Sequence, residues 1–169
     1  RLVRWDTESL NALAASCETV GMGIDYRQLV RGDRVHGSLL HDSEVFAEEM
    51  ERIFVRGWAF VGHESEIKNN GDWVKRQLGN ESVIMVRGDD GDIGVLSNRC
   101  AHRGTALCWE QRGNASFFQC TYHNWRFGLD GSLRAVPFPD GYSTPKEALG
   151  LDRAGQVASY RGFVFANLD

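Results

Sequence analysis

No stretch of this 169-residue chain is apolar for long enough to cross a membrane, and no basic-then-apolar leader opens it. The expectation is a protein with neither a membrane span nor a signal peptide, cytoplasmic by default. An excess of positive charge is also absent: the formal net charge is -4, whereas a phosphate backbone is gripped by a positive surface. Nucleic acid is therefore not an expected partner. Cysteine is scarce, with 4 in the chain. Two of these, Cys17 and Cys108, read as free thiols in a reducing compartment. What is present suffices for a core, since 42% of residues are hydrophobic and the length fits one domain with a helical extension.

The chemistry concentrates in Cys100, His102, Cys120 and His123, spaced C-x-H-x17-C-x2-H. Thiolate sulfur is soft and suits iron bridged by sulfide, while neutral imidazole donates less charge and raises the potential of the iron it binds. One short loop, Cys100-Ala101-His102-Arg103-Gly104, carries a ligand of each kind. A second, Cys120-Thr121-Tyr122-His123-Asn124-Trp125, does the same. Two such loops facing each other suit a Rieske [2Fe-2S] cluster, with Cys100 and Cys120 on one iron and His102 and His123 on the other. Zinc is the competing reading, because Cys2His2 is also a tetrahedral zinc set. Zinc modules pair like ligands closely, however, and a one-residue C-x-H spacing is tight for two ligands on one ion. The spacing favours the cluster, and zinc stays open until the structural context is known.

The loop sequences N-R-C-A-H-R-G and Q-C-T-Y-H-N-W resemble the Rieske domain of the alpha (large, oxygenase) subunit of bacterial aromatic-ring-hydroxylating dioxygenases. The resemblance runs from Asp25 to Asp169 and takes in Glu51 to Phe54 and Trp58 to Ile67 upstream, and Phe127 to Val136 and Tyr160 to Asn167 downstream. One position departs from the family pattern: Asn124 stands where the family usually has glycine. Asparagine is the non-glycine residue that best tolerates a left-handed backbone, so the turn is expected to survive. The resemblance implies imidazoles near the surface and thiolates deeper, with backbone N–H groups of Arg103 to Thr105 and Tyr122 to Trp125 donating to the sulfurs. It also implies a potential near the low end of the Rieske range. Neither loop has the extra cysteine of the respiratory Rieske proteins, and Trp125 and Phe127 occupy the region of their potential-raising hydroxyls. Trp125 reads as a packing wall.

The resemblance further implies an oxidoreductase in which electrons arrive from a ferredoxin or flavin reductase. They pass to a mononuclear Fe(II) held by two His and one carboxylate in a C-terminal catalytic domain, where O2 dihydroxylates an aromatic substrate. No matching His-His-Asp set remains after the cluster loops, so the expectation is an N-terminal portion of a longer subunit working as a homotrimer or alpha3beta3 assembly. The alternatives are a stand-alone Rieske ferredoxin, a zinc-stabilised binding module, and an alpha-subunit relative that demethylates or mono-oxygenates.

The expected fold is mainly β: a Rieske-type antiparallel β-sandwich over residues 57–169, with two cluster-binding hairpin loops at one end, preceded by N-terminal helices over 1–56. A first helix through Leu10, Leu13 and Ala14 is capped by Asp6 or Thr7. A second begins at Asp42 or Ser43, with Phe46, Met50, Ile53 and Phe54 forming a core-facing stripe. Strands are expected at 59–62, 72–78, 82–87, 93–98, 116–119, 125–128, 132–135, 157–160 and 162–167, with turns at Gly88-Asp89-Asp90-Gly91 and Asp130-Gly131. His36 and His41 read as surface histidines, His63 as a hydrogen-bonded residue at a strand end, and Glu48, Glu49 and Glu51 as a solvated helix face. Arg103 and Arg126 flank the loops, either docking an acidic partner or holding the loops by salt bridges.

Overall fold

The computed structural model describes residues 24–169. The expected first helix and Cys17 lie outside the described residues. The chain divides into two units, Arg1–Glu49 and Met50–Asp169.

In the first unit, the Asp25 carboxylate accepts from the Arg27 amide and opens helix α1 (Tyr26–Leu29). A two-residue hairpin follows, β1 (Val30–Arg31) paired with β2 (Arg34–Val35), where no strand was expected. Helix α2 (Ser43–Glu49) starts where expected, because Asp42 accepts from the amides of Glu44 and Val45 and so satisfies otherwise orphaned donors. The Tyr26 hydroxyl donates to Glu48 at 2.8 Å, so Glu48 ties α1 to α2 rather than lying on a solvated face. His36 and His41 are exposed, as expected.

The anticipated apolar stripe does not form. The α-helix ends at Glu49 and the chain continues as a π-helix over Met50–Val55. Phe46 and Ile53 are 52% and 53% exposed, Val45 is the buried residue of α2, and Phe54 packs on the core of the second unit. Winding with i→i+5 bonds inserts a residue into the turn, so positions spaced for one α-helical face leave it.

Beyond the π-helix and a few short 3-10 turns, the second unit is built of antiparallel strands. Its strands are β3 (Ala59–His63), β4 (Asp72–Leu78), β5 (Glu81–Arg87), β6 (Ile93–Ser97), β7 (Arg112–Asn114), β8 (Phe118–Gln119), β9 (Arg126–Phe127), β10 (Leu133–Ala135), β11 (Gln156–Tyr160) and β12 (Phe163–Asn167). They form sheets ordered β6-β5-β4-β7, β11-β12-β3 and β10-β9-β8. Strand β7 was not expected; its three residues are exposed and centred on Gly113, which leaves no alternation to read. The Gly88–Gly91 turn closes as expected through Gly91 N to Gly88 O and Gly88 N to Asp92 O.

Strand β5 sets the layering. Successive side chains of a strand point to opposite faces, and here both faces are buried. Val83 and Met85 pack with Val74, Val95, Val61 and Val164, while Ile84 and Val86 pack with Trp73, Leu96, Phe118, Trp125 and Phe127. The β11-β12-β3 sheet therefore covers one face and the small β10-β9-β8 sheet the other. The second ligand loop, between β8 and β9, belongs to this small third sheet, which adds a layer to the sandwich read from the sequence.

At the end of β3, His63 caps a short 3-10 turn over Glu64–Glu66, with Nδ1 2.8 Å from the Ser65 hydroxyl. The Glu66 carboxylate accepts from the His63 amide and from the guanidinium of Arg76. Burial raises the Glu66 pKa, but these two hydrogen bonds, with the charges of Arg76 and Arg112, bring it below its ordinary 4.5. A pKa lower in the folded than in the unfolded state gives stability that is complete above the ordinary value and disappears as pH falls through the depressed one. Urea midpoints of wild type and Glu66→Gln are expected to differ most near neutrality and to converge below pH 4.5; a gap that widens on acidification would reverse the sign assigned here.

Candidate metal centre

The two loops are the same turn built twice. In the first, Cys100 N donates to Thr105 O (2.9 Å) and Gly104 N to Cys100 O (2.8 Å). In the second, Cys120 N donates to Trp125 O (2.9 Å) and Asn124 N to Cys120 O (3.0 Å). Each turn needs a left-handed residue four places after its cysteine, and Gly104 (φ 72°) and Asn124 (φ 58°) supply it. The histidine sits two places after the cysteine in the first loop and three in the second. Asn124 also accepts from the Gln119 side-chain amide at 3.1 Å. Asn124→Gly is expected to leave the visible spectrum intact and to be neutral or stabilising by up to about 1 kcal/mol, while Asn124→Val costs about 1–2 kcal/mol in a denaturation curve.

The turns bring all four sequence-identified residues to one place. Cys100 and Cys120 are 3% and 2% exposed and join the core, and the half-buried rings of His102 and His123 lie 4.7 Å apart. Burial, and secondarily the Cys120 thiol, push the Cys100 thiol up, while N–H groups of His102 and Arg103 donate toward its sulfur and pull it down. Donation to this sulfur thus begins one residue earlier than the sequence suggests. Burial, then the charges of His123 and Arg103, lower the His102 pKa below its ordinary value, which favours the neutral imidazole. Nδ1 of His102 and Nδ1 of His123 are both buried without a hydrogen-bond partner. Buried polar atoms are almost always satisfied, so two adjacent orphaned nitrogens beside two buried thiols form a donor set that fits a two-iron cluster. Among the described residues no group of three or more His, Cys, Asp or Glu side chains is arranged to hold a single metal ion.

Aromatic rings enclose the pair of imidazoles. Trp125, 1% exposed, lies parallel to His102 (4.9 Å, 3°), and its indole N–H donates to the Tyr142 hydroxyl at 3.3 Å. Trp125 is the packing wall read from the sequence. Tyr122 covers His123 at 3.8 Å. Arg126 donates to Gln119 (2.9 Å) and sits over the Phe117 ring (5.2 Å), so among the described residues it holds the second loop without a salt bridge; Arg103 is exposed. Cys108 is 6% exposed, and burial pushes its thiol up to about 12, which keeps it protonated at neutral pH. Sequence reasoning missed Tyr142, which reaches the site from an irregular segment with no periodic signal, and it missed Asn98, whose side chain spans the base of the first loop.

A β-rich fold carrying paired Cys/His turns of this kind defines an iron-sulfur protein, and the chain belongs to the Rieske [2Fe-2S] domain family, whose model matches residues 57–160. Among particular proteins, it is 41% identical over 155 residues to the alpha subunit of N,N-dimethyl phenylurea N-demethylase from Sphingobium sp. (strain YBL2), covering 90% of this chain and 32% of that one. It is 40% identical over 138 residues to the large oxygenase component of the naphthalene 1,2-dioxygenase system of Pseudomonas aeruginosa, covering 80% of this chain and 30% of the relative. Naphthalene 1,2-dioxygenase from Rhodococcus sp., solved with indole bound, superposes with a TM-score of 0.77 at 33% identity over 97% of this chain and 36% of that one. The chain thus spans about a third of the length of the proteins it matches.

Proposed function

We infer that Cys100 and Cys120 bind one iron of a Rieske [2Fe-2S] cluster, and His102 and His123 bind the other through Nδ1. The observation that carries this reading is the pair of orphaned buried Nδ1 atoms next to two buried thiols. The cluster, when bound, supplies a one-electron redox couple. This chain's residues bury the sulfurs, aim N–H groups of His102 and Arg103 at Cys100, and wall off His102 with Trp125. The half-buried imidazoles lie nearer to solvent than the thiols, which is the short route for an electron to or from a partner.

In this reading residues 57–169 are the electron-transfer domain and 1–56 an N-terminal extension of a cytoplasmic oxygenase alpha subunit. Electrons would arrive from a ferredoxin or flavin reductase and leave for a mononuclear Fe(II), which would supply the oxygen chemistry on an aromatic substrate in a homotrimer or alpha3beta3 assembly. Support comes from relatives about three times as long, among them an oxygenase component and an N-demethylase. That pairing makes the choice between ring dihydroxylation and demethylation a property of the remaining two thirds. A free-standing ferredoxin is disfavoured by the same lengths, and a zinc module by the division of donors into a thiol pair and an imidazole pair.

The test is electron paramagnetic resonance on dithionite-reduced protein, with iron and sulfide analysis of the same sample. A rhombic signal with the low average g of mixed His/Cys ligation is expected, and stoichiometric zinc without sulfide would overturn the reading. Cys108→Ser is expected to keep the colour, since that thiol lies outside the ligand set; bleaching would reassign it.

A further inference from the structure

The two loops share a turn but not its support. The second is closed by a ladder, Phe118 opposite Phe127 and Gln119 opposite Arg126, before the turn itself begins. The first has only the isolated bridge between Arg99 and Ala106, and the next backbone bond, Leu107 N to Asn98 O, is long at 3.4 Å. The side chain of Asn98 fills the gap. Its Oδ1 accepts from Leu107 N (3.1 Å) and Cys108 N (2.8 Å), and its Nδ2 donates to Cys108 O (3.0 Å) and the Ser82 hydroxyl (3.2 Å). All four hydrogen-bonding positions of the carboxamide are used. At 2% exposure, Asn98 is the one fully buried polar side chain among the described residues.

We propose that Asn98 is the positioning residue of the first metal-binding loop: its carboxamide replaces the missing rung of the ladder and fixes where Cys100 and His102 present their donor atoms. The proposal rests on the assignment of those two residues as ligands. Asn98 lies two residues before Cys100, where the chain leaves β6 while still bonded to β5 through Asn98 N to Ser82 O (2.8 Å). One side chain therefore ties the outgoing strand, the returning segment and β5 together at the base of the loop. An apolar residue of similar size takes the side-chain partner from the Cys108 N–H and carbonyl and leaves Leu107 N–H only its long bond to the Asn98 carbonyl, and an aspartate retains acceptors but loses both donors and buries a charge.

The test compares Asn98→Leu and Asn98→Asp with Val164→Ala, a core truncation on the opposite face of the central sheet, in purified metallated protein. The readouts are the reduced-state g values, the reduction potential, the rate of bleaching by an iron chelator, and hydrogen exchange of the peptide containing Leu107 and Cys108. The Asn98 variants are expected to show displaced g values and potential, and bleaching and exchange at least about tenfold faster than wild type. Val164→Ala is expected to lower the unfolding midpoint while keeping wild-type g values. Should both Asn98 variants fail to fold, Ser82→Ala removes one of the four bonds and is expected to shift the same readouts in the same direction by less. Wild-type g values with control-like bleaching in every folded variant would overturn the proposal. A wild-type protein that binds no iron and sulfide would instead sink the ligand assignment.

Discussion

Substituting His123 by cysteine is expected to keep a coloured iron-sulfur protein but to drop its reduction potential out of the Rieske range, roughly -150 to +300 mV, toward the value of about -400 mV found for all-thiolate plant-type clusters. Imidazole is neutral and thiolate carries a full negative charge, so the exchange stabilises the oxidised cluster. The backbone has no reason to change, because the turn from Cys120 to Trp125 is held by main-chain bonds and by the left-handed Asn124, none of which involves the His123 side chain. A redox titration followed by electron paramagnetic resonance measures the potential and the g values together. An unchanged potential would remove His123 from the ligand set.

Trp125→Ala is expected to cost about 3–5 kcal/mol of unfolding free energy, the range for truncating a buried aromatic. The indole is 1% exposed, stacks on His102, meets Tyr142 edge-on at 5.2 Å and packs with Phe127 in the core behind the loops. Removing it also opens a path for water to His102, so loss of colour in the presence of a chelator should accelerate beyond what the stability change predicts. Trp125→Phe keeps a ring against the imidazole and loses only the donor to Tyr142, and its cost should fall well below that of alanine. Equal costs for the two would mean that the indole fills space without ordering the imidazole. Urea titration and timed bleaching of the same preparations separate these outcomes.

The candidate metal centre could be proposed from the sequence because its chemistry is local. Two candidate ligands lie within three residues of each other in each loop, and the left-handed requirement at 124 can be read from one asparagine. The long strands were legible for a related reason: β4, β5 and β12 carry enough apolar residues between turn signals to declare themselves. The π-winding after Glu49 was not, because an apolar stripe at positions 46, 50, 53 and 54 looks the same whichever hydrogen-bond pattern the backbone adopts. The strands of the third sheet were expected, at 116–119, 125–128 and 132–135, but not that they stand apart as a layer of their own: β8 and β9 have two residues each, too few to show which sheet they join. Asn98 escaped because it reads as the last residue of the 93–98 strand; its role appears only when residues 107 and 108 fold back over it.

The middle of strand β5 has no outside. From Val83 to Val86 every side chain is at most 2% exposed, and odd and even positions serve different cores. The strand therefore leaves little room for substitution, and its amides should be among the last in the chain to exchange with solvent. Phe60 and Phe163, on the outer sheet, are 56% and 49% exposed and in ring contact with each other, so they leave latitude for change. A methylene added at Met85 or removed at Val83 would press, through one thickness of backbone, on Ile84 and Val86 and the floor beneath both cysteines. Drift in the outer sheet is thus cheap at its surface and becomes audible at the iron once it reaches the shared wall.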